Sequence, residues 1–334
     1  MRTLAFGFPR LGTRRQYKTL LERFWEGSLN EDALRLGLEE LKLERLQEYQ
    51  GMDYIPCNEL SLYDPMLDTA VMLGAIPSRF RPYTGLSTYF ALARGKNALE
   101  LTKWFNTNYH YLVPELEEPT FELLHNFPLE DVRFYRQHGA ETVPTLIGPY
   151  TFLRLSKRLH ICPHLRVAPL SEDELTAFGE ALVPVYSAIL RSLAAEAVSC
   201  VVVHEPALAL EVPEPHWELL SSWYGELSRW GVPVWLLCYY DSVSDYRRYS
   251  ELPVAGIGLD FVSNSENWAE LQRHGFPRHK TLIAGIVNGR QVWRSDLQEC
   301  LRFVESLHRW VDELVIAPSC PLFHLPITVS VETR

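Results

Sequence analysis

The stretch "VVVHEPALAL", residues 201–210, carries three valines into His204, Glu205 and Pro206. An imidazole beside a carboxylate suits proton transfer or metal ligation. The layout recurs along the chain. Glu59 ends "DYIPCNE", Cys238 sits in "VWLLCYY", Asp260 in "VAGIGLDFV", Asn288 in "TLIAGIVNG", and Cys320 ends "LVIAPSC". Taken singly, such a residue more often satisfies backbone groups of the following turn. Together, polar and thiol groups at the ends of several strands outline one candidate site.

The elements that must hold these residues follow from the apolar rhythm. To the five segments above and "SCVVVHEP" are added "TLAFGF", "YHYLVPE" and "TVPTLIGP". Between the strands lie amphipathic helical patterns such as "EDALRLGLEELKLERLQEYQ" and "SEDELTAFGEALVPVYSAILRSLAAEA". In the second, Ser171 and Glu174 have capping-box spacing. Apolar strands alternating with helices predict a parallel sheet covered on both faces. Nine candidates for eight places predict a (β/α)8 TIM barrel over residues 1–334 as one domain, with "YHYLVPE" outside the barrel. Barrel active sites sit at the C-terminal ends of the strands, where His204, Glu205, Glu59, Cys238, Asp260 and Cys320 fall. Residues 79–85 and "RLHICPHLRVAP", residues 158–169, read as surface loops.

Composition narrows the function classes. The chain has 334 residues, 47% hydrophobic and 22% charged, enough for a sizeable core. A net charge of −10 argues against a basic nucleic-acid-binding face. No apolar run reaches the roughly 18 residues of a membrane span. The start "MRTLAFGFPRLG" is too short in its apolar part for a signal peptide, so a cytoplasmic location is expected. The six cysteines are scattered without a CxxC pair, which predicts free thiols or metal ligands. "GFPRLG" lacks the ending of a phosphate-binding loop, and no GxSxG elbow occurs.

Longer motifs carry a resemblance. "GFPRLGTRRQYKTLLERFW", "DTAVMLGAIPSRF", "ELTKWFNTNYHYLVPEL", "EPALAL", "LIAGIVNGRQVWRSDL" and "APSCPLFHLPITVSVETR" occur in this order. From about Leu4 to Arg334 the chain resembles the N-terminal half of cobalamin-independent methionine synthase. The resemblance implies two face-to-face barrels in the whole enzyme and no cobalamin. The other barrel holds a zinc that activates homocysteine as a thiolate. The methyl donor is 5-methyltetrahydrofolate with a polyglutamate tail. Carried over, the folate contacts are Arg15, Gln16, Tyr17 and Lys18, with Lys103 in "TKWF". Basic side chains suit a string of carboxylates. Trp104, Phe105 and Tyr109 either face a pterin ring or pack in the core.

Departures from the family pattern concentrate on the strand ends. His204 stands where the family has Asp, Glu59 and Leu62 replace Asp and Trp, and Cys238 replaces Thr. Matched on the duplication of the two barrels, Cys238 and Cys320 fall where the other barrel has zinc cysteines. Asp260 falls near its zinc Glu, and Leu236 where its His stands. The set His204, Cys238, Asp260 and Cys320 would then suit zinc or another soft-ligand metal. His160, Cys162 and His164 in "HICPH" read as a surface loop, and Arg290, Trp293 and Arg294 as barrel-closing contacts and surface ion pairs.

Three functions remain open. The chain is a methyltransferase-family subunit that binds folate and needs a separate zinc barrel. Or it is a metalloenzyme in its own right, with Glu205 or Glu59 as general acid or base and a thiol or diverged substrate. Or it is a non-catalytic folate-binding or assembly protein.

Overall fold

The computed structural model describes residues 1–160 and 166–328. Cys162 and His164 therefore lie outside the described residues, as does the end of the last resemblance segment. Eight parallel strands form the central sheet: β1 (Arg2–Thr3), β2 (Pro56–Cys57), β3 (Val143–Ile147), β4 (Val201–His204), β5 (Val234–Leu237), β6 (Gly256–Asp260), β7 (Thr281–Val287) and β8 (Glu313–Pro318). Each pairs with its neighbour in sequence, except that β1 pairs with β8. The circle closes through a parallel bridge between Leu4 and Tyr54, where the Tyr54 N–H donates to the Thr3 carbonyl at 3.0 Å. This is the expected (β/α)8 barrel. β3 to β6 are buried along their whole length, because helices cover the outside and side chains fill the inside.

The helices form where the patterns place them. Glu31–Glu48 is capped by Asn30, whose side chain accepts from Ala33 N. Glu172–Ala195 starts with the complete capping box of Ser171 and Glu174, and accommodates Pro184.

"YHYLVPE" is the segment left out of the barrel, as expected. Its His110–Leu112 pairs antiparallel with Leu101–Lys103, and Glu115–Leu116 joins a separate small sheet. One expectation is corrected. Residues 158–169 are not a plain loop: Lys157–His160 and Arg166–Pro169 pair antiparallel. Each of these strands has only four residues, too short a run for its alternation to be read from the sequence. Residues 79–85 are a loop only in part, since Ser78–Phe80 forms a 3-10 turn that buries Phe80.

Candidate functional site

The C-terminal ends of the strands surround a cavity of about 80 Å³ in the barrel mouth. Phe6, Asn58, Glu59, Thr145, His204 and Tyr239 line its floor and walls. The hairpin formed by Leu101–Lys103 and His110–Leu112 lies across the opening, and Trp104, Tyr109 and Phe323 also line the cavity. The hairpin tip is anchored from three sides. Trp104 Nε1 donates to the Tyr240 hydroxyl at 3.1 Å, Arg290 donates to Asn106 Oδ1, and Tyr109 packs on Phe323 with ring centres 4.5 Å apart. Tyr240 in turn contacts His324 Nε2 at 2.8 Å. Asn58, Phe105 and Tyr240 hold left-handed φ values of 62°, 51° and 81°. Such conformations persist only where surrounding contacts enforce them, and they gather at functional sites.

Two of the expected residues face this cavity. His204 ends β4 with 7% of its surface exposed. Its ring lies 5.3 Å from Phe6 and 5.6 Å from Tyr239, and its Nδ1 has no hydrogen-bond partner among the described residues. Burial lowers its pKa to about 4, so the imidazole is neutral. Glu59 follows β2. Its Oε1 accepts from Gly7 N at 2.6 Å and its Oε2 from the Tyr49 hydroxyl at 2.7 Å. Burial pushes its pKa up against these hydrogen bonds.

Glu205 does not line the cavity. It turns into the barrel wall, fully buried, and its Oε1 accepts from Tyr150 N at 3.0 Å and the Tyr224 hydroxyl at 2.6 Å. Its Oε2 accepts from Thr151 N at 2.6 Å. Burial raises its pKa to about 7. Gly148 makes room for it, because a Cβ there would lie 2.2 Å from the Glu205 carboxyl carbon. The carboxylate staples the start of the Pro149–Arg154 helix to β4.

The expected metal set does not assemble. Among the described residues, no three His, Cys, Asp or Glu side chains converge to hold one ion. Asp260 is engaged on every side. Its Oδ1 accepts from Val262 N and Ser263 N at 2.8 and 2.9 Å, and its Oδ2 from Ser263 Oγ and Tyr240 N at 2.6 and 3.2 Å. Cys238 is buried, with its thiol pushed well up by desolvation. Cys320 is buried beside Gly289 and raised to about 12 by desolvation and then by Asp260. Desolvation thus favours the neutral thiol at both positions, as for cysteines packed in a core. His204, Cys238, Asp260 and Cys320 share a rim but not a centre.

The basic residues lie outside the cavity. Arg15 is the left-handed residue before the Gln16–Trp25 helix and is exposed, as are Lys18 and Lys103. Lys18 pairs with Glu22 at 3.4 Å. Arg15 and Lys103 make no ion pair among the described residues. Gln16 Nε2 donates to Glu44 at 3.1 Å, and the buried Tyr17 hydroxyl donates to the Ser61 carbonyl at 2.7 Å. Arg10 links this helix to the hairpin, with its guanidinium 5.5 Å from the Tyr17 ring and 5.3 Å from the Tyr109 ring. Arg10 was missed in the sequence, although "GFPRLG" carries it. Trp293 is corrected: with 78% of its surface exposed it closes nothing. Arg290 lies over the Tyr240 ring at 4.9 Å, and neither it nor Arg294 forms an ion pair among the described residues.

Known proteins give this arrangement its family. Residues 2–312 match the family model described as "Cobalamin-independent synthase, N-terminal domain". A 5-methyltetrahydropteroyltriglutamate–homocysteine methyltransferase of Thermotoga petrophila is 47% identical over 333 residues, covering 99% of this chain and 44% of the relative. The protein of the same name from Bacillus subtilis is 42% identical over 341 residues, covering 98% and 43%. The chain thus spans less than half the length of these relatives. A B12-independent methionine synthase from Shewanella sp. W3-18-1, solved with selenomethionine, superposes with a TM-score of 0.64 at 15% identity. It covers 89% of this chain and 84% of that one, and it supports the fold. No described helix is long and apolar enough to cross a membrane. On the match over nearly its whole length, the chain belongs to the family of N-terminal domains of cobalamin-independent synthases.

Proposed function

We propose that this chain is the folate-tail-binding part of a system that transfers the methyl group of 5-methyltetrahydropteroyltriglutamate to homocysteine. The carrying observation is the 47% identity, along the full chain, to a relative whose name states that reaction. Arg15, Lys18 and Lys103 are exposed cations on the helix start and the hairpin that Arg10 holds together. Such cations bind the carboxylates of a polyglutamate tail by charge-assisted hydrogen bonds. Gln16 and Tyr17, bonded to Glu44 and Ser61, set the position of the helix. By the family resemblance, the zinc that activates the thiol belongs to a second barrel, and the rim described above offers no substitute for it. Turnover then requires that second unit, while folate binding does not.

Isothermal titration with the tri- and monoglutamyl forms of 5-methyltetrahydrofolate tests this reading. The triglutamate should bind at least tenfold tighter, and its advantage should shrink with salt. Arg15→Ala with Lys103→Ala should reduce it to the level of the monoglutamate. Equal affinity of the two forms for the unaltered chain would sink the tail assignment. Methyl transfer by the chain alone would sink the need for a second unit.

A further inference from the structure

We propose that the barrel-mouth cavity is a second binding site, for a small alkylated ammonium ion of about choline size, with the hairpin tip Trp104–Tyr109 as its lid. The site is separate from the exposed cations assigned to the folate tail, and the proposal stands or falls without them.

Size comes first. A buried water occupies roughly 10–15 Å³ of this kind of space. The 80 Å³ of the cavity therefore hold about five to eight non-hydrogen atoms. A trimethylammonium group with a short arm fits this space.

The chemistry of the wall comes second. Phe6, Trp104, Tyr109, Tyr111, Tyr239 and Phe323 are aromatic, and Glu59 and Asp68 add carboxyl groups. Rings around a methylated cation attract it through their quadrupoles, at least cost when water is excluded. Arg10 on the Tyr109 ring shows that this wall already accommodates a positive charge.

Charge balance points the same way. Glu59 and Asp68 line the cavity and the buried Asp64 lies near Asp68, and desolvation pushes each of them up, Asp64 to about 7 and Asp68 to about 6. The cations acting on them are Arg10 and Arg45. The fixed charge of Arg10 lies 5.3 Å from the Tyr109 ring and outside the lining, and among the lining residues the one side chain that could carry a positive charge is His204. It is neutral, and its Nδ1 is nine-tenths buried without a partner among the described residues. An open ring nitrogen beside an aromatic cage gives the polar arm of a ligand a place to bond.

The lid follows from the anchors. Among the described residues the contacts of the tip across the mouth are made by side chains, among them Trp104 and Phe105 with Tyr240, Asn106 with Arg290, and Tyr109 with Phe323 and His324. These can part without breaking the backbone pairing of the hairpin.

The experiment compares choline chloride with 3,3-dimethylbutan-1-ol, its uncharged isostere, at ionic strength matched with sodium chloride. Calorimetric titration and thermal unfolding of the intact chain are the readouts. Choline should bind saturably at millimolar concentration or tighter and raise the unfolding temperature, and the alcohol should bind at least tenfold more weakly. Glu59→Gln should weaken choline at least fivefold, with Asp68→Asn as the second variant if the first does not fold. Equal binding of the two isosteres would show an apolar cavity without selectivity for charge. The absence of saturable choline binding to the unaltered chain would overturn the proposal outright. Either outcome leaves triglutamate binding, measured separately, to be judged on its own.

Discussion

The rim of the barrel has two sides, and they use the same residue types in opposite ways. On the side of β5 to β8, polar groups meet their own loop or the one beside it. Asp260 bonds to Val262 and Ser263 two and three residues on, Asn288 accepts from Arg290 N at 2.9 Å, and Cys320 packs against Gly289. On the side of β1 to β4, polar groups meet segments that come from elsewhere. Glu59 is bonded by Gly7 and Tyr49, and His204 lies among Phe6 and Tyr239 with a nitrogen to spare. The difference lies in the connections. Short βα loops leave a strand-end carboxylate little to bond except its own turn and the one beside it. The long excursions after β1 and β2 bring in a hairpin that roofs a cavity. A polar residue at a strand end is thus a candidate for chemistry only if its lone pairs and protons are not already engaged.

The largest test of this contrast concerns the wall between the two sides. Gly148→Val should cost about 3 kcal/mol or more in urea unfolding, because the added carbons collide with the Glu205 carboxyl group. A loss under 1 kcal/mol would mean that Glu205 is free to move toward the cavity. Next, Asp260→Ala should cost about 2–3 kcal/mol by leaving backbone N–H groups of Tyr240, Val262 and Ser263 unmatched. Its metal content, by mass spectrometry, should equal that of the unaltered protein. A metal present in the latter and lost in the variant would restore a ligand role to this side.

Glu205 gives a pH test of about 1–3 kcal/mol. Its folded pKa, about 7, lies above that of an unfolded glutamate, so the folded state holds the proton more tightly. Its contribution is fully present below the unfolded value and is lost as pH rises through 7. Unfolding of Glu205→Gln between pH 4.5 and 8 should lose less stability over that rise than the unaltered chain. Identical slopes would refute the buried-proton account. The smallest effect belongs to His204→Phe, which should change stability by no more than about 1 kcal/mol, since the ring is neutral and its Nδ1 bonds to nothing described. A loss of several kcal/mol would put His204 with the structural residues of the other side.

Much of this was legible in the amino-acid order. The strand segments, the exclusion of "YHYLVPE", the Ser171–Glu174 cap and the position of every candidate at a strand end follow from local periodicity and capping, which act within a few residues. The family followed from long motifs. The pairing of Lys157–His160 with Arg166–Pro169 did not, because two four-residue strands leave too short a pattern to read.

The sequence by itself determined which side chains stand at the rim, since the two-residue period of a strand and the direction of the chain decide that. Only the tertiary structure decided what each of them does there. Glu205 is next to His204 in the chain, yet it faces the opposite way, into hydrogen bonds from Tyr150, Thr151 and Tyr224. His204 meets Phe6, and Glu59 meets Gly7 and Tyr49, across separations that no local pattern records. Whether a carboxylate is a staple or a site depends on the donors that folding brings to it, and those come from the far ends of the chain.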